Sequence, residues 1–410
     1  MPKLPIGLQN LSPGWEIKTL GEITINSQYG LNFMGGKGEL FPVLKMGDMD
    51  RGRVSTKNAD EGLFNPDEVS GYFLEKGDLL INRTNSLELV GKSAVFSEEN
   101  RVLFASYLLR FKIDNSTASS YFVNYYLNSH QGRYCLRSLA TAGVSQANIN
   151  PSKLKKKLLI PLPPLPEQKE ISKILTIWDN TIELMMNLIQ SKVKLKSGLI
   201  QKLLTNESYN HIPLGDLLKP IVREVSKPQE IYTAIGLRCH GKGTFQKPDT
   251  DPNNNSMDKL YTVKSGDLIV NITFAWEGAI AIVKGEDDGC YVSHRFPTYL
   301  IDKSKCNPEY IEQLIHTKRF IFNLGLISPG GAGRNRVMSK KGFLKMKVYM
   351  PPYSEQHRIA TILTTADREI ELLQKKLNLL KLQKKGLMQQ LLTGKIRVKV
   401  DEPAPEEVLP

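Results

Sequence analysis

The sequence predicts an α+β protein with an internal pseudo-twofold repeat, in which each of two globular domains is followed by a long coiled-coil helix. One observation is a duplication: residues 164–205 and 352–393 align without a gap at an offset of 188, with 18 of 42 positions identical. Both copies also carry apolar residues at alternating spacings of four and three, which is typical of a coiled-coil seam. Short apolar runs upstream of each helix indicate buried strands.

The duplicated segments predict two helices of about 33 residues, each a rod on the order of 50 Å long. Prolines precede both helices, Glu167 and Glu355 fall in the first turns, where a carboxylate suits the helix dipole, and Gly394 marks a stop. Lys192, Lys196 and Lys384 interrupt the seam and are interpreted as charges at the helix edge. The predicted seam residues are Ile171, Leu175, Trp178, Ile182, Met185, Ile189, Ile359, Leu363, Ile370, Leu373, Leu377 and Leu380.

The globular domains are predicted to mix strands with helices. "GDLLIN" at 77–82 and "GDLIVN" at 266–271 are short apolar runs after Gly-Asp turns, and "LLIPLPP" and "KVYMPP" are strands that lead into the rods. "SSYFVNYYLNSHQGRYCL" and "PEYIEQLIHTKRFIFNL" have helical spacing. The predicted division is a globular domain at 1–157, a linker with the first long helix at 158–207, a globular domain at 208–345, the second long helix at 346–398 and a disordered acidic tail at 399–410.

Composition limits the partners and the compartment. The net charge of +13 favours a polyanionic partner such as nucleic acid. The four cysteines show no C-x-x-C spacing, so neither a zinc site nor a disulfide framework is expected. The N-terminal residues lack the pattern of a secretory signal, and no apolar run is long enough to span a bilayer. We therefore expect a cytoplasmic protein without a membrane partner.

A search for catalytic motifs favours a non-catalytic chain. "MPPY" at 350–353 has Met where amino-methyltransferases place Asn or Asp, and neither "GGKG" at 35–38 nor "PGGAGR" at 329–334 has P-loop spacing. The Pro-Asp pairs at 66–67 and 248–249 are followed by acidic-Lys pairs that lack the intervening residue of a metal-dependent nuclease motif. The six histidines show no metal-ligand spacing. A Ser/His/Asp arrangement is left open, because such residues need not be close in sequence.

The order of these motifs resembles the specificity (S) subunit of type I restriction-modification systems. The resemblance is carried by "GWEIKTLGEI", by both Gly-Asp strands, by the paired "PPLPEQKEISKIL" and "PPYSEQHRIATIL" openings, and by the helix ends "GLIQKLLT" and "GLMQQLLTG", and it covers residues 14–398. It implies two target-recognition domains that each read half of an asymmetric bipartite site in double-stranded DNA. It also implies two antiparallel helices that fix the spacer and dock two modification subunits and, through them, restriction subunits. S-adenosylmethionine, ATP and Mg²⁺ would then belong to partner subunits, with no cofactor in this chain.

Candidate DNA contacts are loop residues with suitable chemistry. Lys, Arg and small polar residues contact phosphates, while Arg, Asn, Gln, Ser and Thr read base edges. The alternative for each is an ordinary solvated loop residue. The first domain offers Tyr29, Lys45, Arg83, Thr84, Asn85, Lys92, Ser145, Gln146 and Asn148, and the second offers Arg238, Thr273, Trp276, Arg295, Arg334, Asn335 and Arg336.

Three other interpretations remain. The chain could be a self-sufficient DNA methyltransferase or nuclease with an unrecognised site, which the missing motifs disfavour. It could be a coiled-coil scaffold whose globular domains bind protein, in which case salt-sensitive and sequence-dependent DNA affinity would be absent. It could also be a spare specificity subunit exchanged by recombination, which the sequence does not separate from a main one.

Overall fold

Strands and helices alternate along both halves of the chain in a computed structural model that describes residues 11–32, 36–143, 146–331 and 336–400. The helices are α1 Ser120–Asn128, α2 His130–Leu139, α3 Pro151–Lys157, α4 Leu165–Leu204, α5 Pro308–Ile315, α6 Lys318–Leu326, α7 Lys340–Lys345 and α8 Tyr353–Leu391. The strands up to α4 are β1 Glu16–Thr19, β2 Thr24–Tyr29, β3 Glu39–Leu44, β4 Met49–Asp50, β5 Arg53–Val54, β6 Asp60–Phe64, β7 Leu79–Asn82, β8 Thr84–Asn85, β9 Ser93–Val95, β10 Leu103–Phe104, β11 Leu108–Ile113, β12 Ala140–Ala142, β13 Ala147–Ile149 and β14 Leu159–Leu162.

The strands after α4 are β15 Asn210–Pro213, β16 Leu218–Ile221, β17 Glu224–Ser226, β18 Tyr232–Leu237, β19 Thr244–Thr250, β20 Lys259–Thr262, β21 Leu268–Val270, β22 Ile280–Ile282, β23 Tyr291–Val292, β24 Thr298–Ile301 and β25 Lys347–Met350. The predicted Gly-Asp strands are β7 and β21, the strands leading into the rods are β14 and β25, and the predicted helical segments become α1–α2 and α5–α6. These local predictions are confirmed.

The chain divides into two units, each with its own core. Unit 1 consists of the described residues of 1–185 and 376–410, and unit 2 of those of 186–375. The division therefore falls within α4 and within α8, whereas the predicted boundaries fall outside the helices. The five-segment division stays a prediction about how the chain folds and functions.

Unit 1 is built on a six-stranded sheet in the order β2-β11-β7-β9-β5-β4, joined by the three-stranded sheets β10-β3-β6 and β12-β13-β8. Its central strand β7 is buried along its whole length because both faces are covered. One core cluster joins this sheet to α1 and to the ends of the long helices, and includes Ile81, Phe111, Phe122, Leu175 and Leu391.

Unit 2 combines a four-stranded sheet, β16-β24-β21-β22, with a five-stranded sheet, β17-β20-β23-β18-β19. Its main core cluster joins β21 and α5 to the long helices and includes Val270, Tyr310, Leu204, Ile359 and Leu363. The sheets of the two units differ in strand order, although the surrounding helices repeat.

Helix caps recur at the repeat offset of 188. Ser119 and Asn307 are the N-cap residues of α1 and α5, and their side chains accept hydrogen bonds from first-turn N–H groups. Ser129 and Thr317 do the same for α2 and α6. Short polar side chains satisfy N–H groups that have no partner inside the helix, which fixes where each helix starts.

The similar segments "LGEI" at 20–23 and "LGDL" at 214–217 lie at a junction that occurs once in each unit. β1 pairs antiparallel with β14, and β15 pairs antiparallel with β25. Gly21 and Gly215 follow these pairs, and a Cβ atom there would lie 3.1 Å from the Lys155 carbonyl oxygen and 3.2 Å from that of Leu344. Both positions therefore favour glycine because the backbone of a short helix passes close by.

The long helices run antiparallel within each unit. In unit 2, Lys192 contacts Glu369 and Lys196 contacts Asp367. Later residues of α4 therefore contact earlier residues of α8. The helices have 40 and 39 residues, more than the predicted 33. Both helices begin six residues before their first predicted seam residues, Ile171 and Ile359. In α4 the first turn accommodates Pro166, whose missing N–H would have no intrahelical partner there.

Every predicted seam residue is at least partly removed from solvent. Ile171, Leu175, Ile182, Ile359, Leu363 and Leu377 are buried, and Trp178, Met185, Ile189, Ile370, Leu373 and Leu380 are half-buried. Within the described part of the chain, no helix has the length and apolar character that a membrane crossing requires.

Candidate nucleic-acid interface

Four predicted residues of unit 1 come together beside β8. The Arg83 guanidinium lies 5.0 Å from the centre of the Tyr29 ring, and its Nε donates to the Ser106 carbonyl at 3.3 Å. Thr84 donates to the Asn148 side-chain oxygen at 2.6 Å, because β8 pairs with β13 at this position. An arginine held by a ring and a neutral carbonyl keeps its charge available to a ligand.

The other unit 1 candidates lie around this group with different constraints. Asn85 donates to the Met46 sulfur at 3.5 Å, Lys92 is half-buried, and Gln146 is exposed. Lys45 forms an ion pair with Asp60, which raises the pKa of the lysine and partly neutralises it. Ser145 lies outside the described residues.

In unit 2, one candidate group lies at the hairpin between β18 and β19. The Arg238 guanidinium is 5.1 Å from the centre of the Phe245 ring, and the Lys247 ammonium is 5.5 Å from the same ring. His240 has a positive φ of 60°, which the tight turn imposes on this non-glycine residue. The hairpin therefore presents two cations on one aromatic side chain.

A second group in unit 2 gathers around Trp276. The Arg336 guanidinium lies 5.2 Å from the indole and donates to the carbonyls of Ser328 at 3.2 Å and Gly325 at 3.4 Å. Arg295 is exposed, and its carbonyl accepts from the N–H of Ile272, next to Thr273 in the same loop. Arg334 and Asn335 lie outside the described residues.

The Glu-Gln pair of the duplicated opening fastens each globular part to its rod. The Gln168 side chain accepts from the Ser119 N–H at 2.8 Å and donates to the carbonyls of Pro163 at 2.8 Å and Thr117 at 3.3 Å. Its repeat equivalent, Gln356, makes the same set of bonds to Asn307, Pro351 and Lys305. Each glutamine thus joins the start of a long helix to the N-cap residue of α1 or α5.

Glu167 and Glu355, by contrast, have different partners. Buried Glu167 receives two hydrogen bonds from Arg397, at 2.8 and 2.7 Å, whereas Glu355 binds Arg358 within its own helix. The dipole role predicted for both carboxylates therefore describes only part of what Glu167 does, because a cation from the chain after α8 neutralises it.

The seam lysines form equivalent ion pairs in the two units. In unit 1, Lys384 donates to Asp179 at 2.6 Å, and Tyr125 of α1 donates to the same carboxylate at 2.9 Å. In unit 2, Lys196 contacts Asp367, which also accepts from Gln313 of α5 at 3.0 Å. Each pair takes its aspartate from one copy and its lysine from the other, so these lysines hold the helices together.

The repeated organisation of the chain is matched by a known protein family. The sequence pattern of the family described as "Type I restriction modification DNA specificity domain" matches residues 14–194 and 236–382. The chain belongs to this family.

Relatives and solved structures extend the similarity over most of the chain. The chain is 27% identical over 411 residues, 94% of each protein, to a Methanocaldococcus jannaschii protein described as a type I restriction enzyme MjaX specificity subunit. It is 29% identical over 180 residues to the StySPI specificity subunit of Salmonella potsdam, covering 42% of this chain and 39% of that one. The S subunit structure from M. genitalium matches with a TM-score of 0.56 at 16% identity, covering 95% of this chain and 98% of that chain. The predicted α+β fold with two globular domains and two long helices is confirmed.

The candidate contacts predicted from the sequence did not include cationic residues that lie on helices. Arg133 and Arg137 of α2 both donate to the carbonyl of Glu88, which lies in the loop between Arg83 and Lys92. Tyr107, 45% exposed, accepts through its carbonyl from the Arg83 N–H. The i, i+4 spacing of the two arginines was a usable signal, because it places both on one face of a helix.

Among the residues that the structure describes, no group of three or more His, Cys, Asp or Glu side chains could hold a metal ion.

Proposed function

We propose that this chain is the non-catalytic DNA-recognition subunit of a type I restriction-modification complex. One unit would read each half of an asymmetric bipartite site. The observation that carries the proposal is the presence, in each unit, of arginines held against aromatic rings and neutral carbonyls, at Arg83 in unit 1 and at Arg238 and Arg336 in unit 2. Such arginines are suited to guanine edges and phosphates.

The asymmetry of the site follows from the differences between the units. Arg83 is accompanied by Thr84 and Asn148, whereas Arg336 is accompanied by Trp276 and Arg238 by Lys247. Different side chains present different hydrogen-bonding patterns, so the two half-sites should differ in sequence. The long helices, joined by Asp–Lys pairs, would hold the reading surfaces at a fixed separation and so fix an unread spacer.

Docking of two modification subunits is supported by apolar side chains that point away from the seam. Leu184 and Leu372 occupy equivalent positions in the two helices and are 69% and 64% exposed. Their helices add further exposed apolar residues: Ile177, Leu188, Leu379 and Leu382. Leu184 and Leu372 are the members of this set that repeat at the offset of 188, and an exposed apolar side chain at the same place in both helices suits one kind of partner bound twice.

The chemistry would then lie elsewhere in the complex. S-adenosylmethionine, ATP and Mg²⁺ would be bound by the modification subunits and by restriction subunits attached through them, and the assembly would act on DNA in the cytoplasm. A self-sufficient methyltransferase or nuclease, or a protein-binding scaffold, are the competing functions.

One binding experiment separates these functions. The full chain, alone and with its modification subunits, is incubated with a random DNA library, and bound sequences are recovered at two salt concentrations. We expect enrichment of two short elements at a constant separation, with affinity falling steeply as salt rises. If no sequence is enriched, the result favours the protein-binding scaffold. Methyl transfer or cleavage by the isolated chain would favour the self-sufficient enzyme.

A further inference from the structure

A basic groove in unit 1 brings Arg133 and Arg137 of α2 together with lysines of α8. It runs between α2 and the C-terminal part of α8 and has a volume of 460 Å³. Its basic lining residues are Arg133, Arg137, Lys381, Lys384 and Lys385, with His130 beside them, and among the described lining residues none is acidic. A second hollow of 540 Å³, also lined by His130, Met388 and Gln389, continues it past Thr393 to Lys395.

Most of these charges are not compensated. Arg133 and Arg137 donate to one neutral acceptor, the Glu88 carbonyl, and the Nη1 of Arg133 is buried without a hydrogen-bond partner among the described residues. Burial and the neighbouring Arg137 lower the pKa of Arg133. Lys381 and Lys385 are exposed and form no ion pair within the described chain. Lys384 is the exception, because it is paired with Asp179.

The equivalent face of unit 2 provides an internal comparison. The positions 188 residues from Lys381 and Lys385 are Val193 and Ser197, and those equivalent to Arg133 and Tyr134 are Ile321 and Phe322. Phe322 is 66% exposed and Val193 is 49% exposed. Of the five arginines and lysines that line the groove, only Lys384 has a basic equivalent, Lys196, although Lys318 stands at the position of His130. The equivalent helices of unit 2 are therefore less basic and more apolar at this face.

We propose that the basic groove of unit 1 binds the phosphodiester backbone of DNA beside the half-site that unit 1 reads. This inference rests on the proposed function, since it assumes that the chain binds DNA. The groove adjoins the proposed reading surface of unit 1. Its two arginines donate to the Glu88 carbonyl, and the segment around Glu88 carries the candidate contacts Arg83, Asn85 and Lys92. A DNA backbone that extends beyond the reading surface would contact Arg133 and Arg137 first and the α8 lysines next.

Nucleic acid suits this groove better than an acidic protein surface does. Protein–DNA interfaces are polar and strongly basic, whereas protein–protein interfaces depend on apolar and aromatic side chains at their centre. Five of the eleven lining residues are arginines or lysines, and Met388 and Tyr134 are its larger apolar side chains. Unit 2, with Phe322 and Val193, has the surface that suits a protein.

The test compares salt dependence in matched variants of the full chain. Lys381→Gln/Lys385→Gln removes two exposed groove charges, and Lys169→Gln/Lys173→Gln removes two exposed charges with the same i, i+4 spacing on α4, away from the groove. The slope of log affinity against log salt should fall by about 2 in the groove variant, since each phosphate contact contributes about 0.9. The control variant should keep the wild-type slope. Arg133→Gln/Arg137→Gln, checked for an unchanged unfolding profile, should also lower the slope by about 2, and combining it with the lysine substitutions should lower the slope further.

The groove variant should lose the same amount of affinity for the recognised sequence and for unrelated DNA, because phosphates carry no sequence information. An unchanged slope in the groove variant would overturn the inference, as would a loss confined to the recognised sequence. Loss of assembly with the modification subunit at an unchanged DNA slope would assign the groove to an acidic protein surface and also overturn it. If the wild-type chain has no salt-sensitive, sequence-dependent DNA affinity, the proposed function itself fails.

Discussion

At the scale of single residues, the duplicated motif is explained by its glutamines. Gln168 and Gln356 are buried, and each satisfies a backbone N–H and two carbonyls where a globular part meets its rod. Leaving a buried polar group without a partner costs about 1–3 kcal/mol.

Gln168→Met should lower the free energy of unfolding of unit 1 by about 1–3 kcal/mol, because methionine fills the space but leaves the Ser119 N–H without an acceptor. Urea unfolding followed by the fluorescence of Trp15 and Trp178 measures the change. Gln201→Met, on an exposed face of the same helix, is the control and should have little effect. Equal effects of the two substitutions would contradict the role given to Gln168.

Arg83→Gln should weaken binding by about 1–3 kcal/mol if the guanidinium reads a base. It should relax the preference for one half-site only, which competition with DNA altered in either half would show. Arg101→Gln is the matched control, because Arg101 is exposed and lies 4.9 Å from the Phe41 ring of the same unit without being a candidate contact. Relaxation of both half-sites at once would argue against one half-site per unit.

At the scale of elements, the two long helices combine an apolar seam with cross-copy ion pairs. Asp179 and Lys384 are 11% and 15% exposed, whereas Lys375 and Glu371, an exposed pair within α8, are 67% and 64% exposed. Screening by water makes exposed pairs weak, so the interhelical pair should contribute more.

A double-mutant cycle with Asp179→Asn and Lys384→Met should give a coupling energy of about 0.5–3 kcal/mol. The same cycle on Glu371 and Lys375 should give about 0.3–0.5 kcal/mol, the range for i, i+4 pairs on a helix surface. Both are measured by urea unfolding. A coupling at Asp179–Lys384 no larger than at the exposed pair would mean that the apolar seam alone holds the helices together.

The sequence predicted the long helices, the central strands and the paired openings because these depend on local periodicity and on a detectable repeat. It did not predict the sheets, since contacts such as the parallel pairing of β5 with β9 join distant segments. The basic groove was missed for the same reason: Arg133 and Lys381 face each other only after folding. Candidate loop residues were found by composition, which does not distinguish Lys45, paired with Asp60, from Arg83.

At the scale of the whole molecule, the proposal treats the long helices as a ruler. Deleting residues 183–189 and 374–380 removes one heptad from each helix and leaves Asp179–Lys384 and Lys196–Asp367 in the sequence. The rods become shorter by about 10 Å. The unread spacer of the recognised site should shorten while both half-sites keep their sequences, as selection from a random DNA library would show. Altered half-sites with an unchanged spacer would contradict the proposal that the long helices set the spacer length.

The central claim is that this chain determines which DNA sequence its complex modifies. Mapping methylated adenines across host DNA, with and without the gene for this chain, tests that claim most directly. The account predicts that methylation disappears from one asymmetric motif made of two short elements separated by an unread spacer, while other methylated motifs persist. Methylation of every split motif persisting after deletion would contradict it.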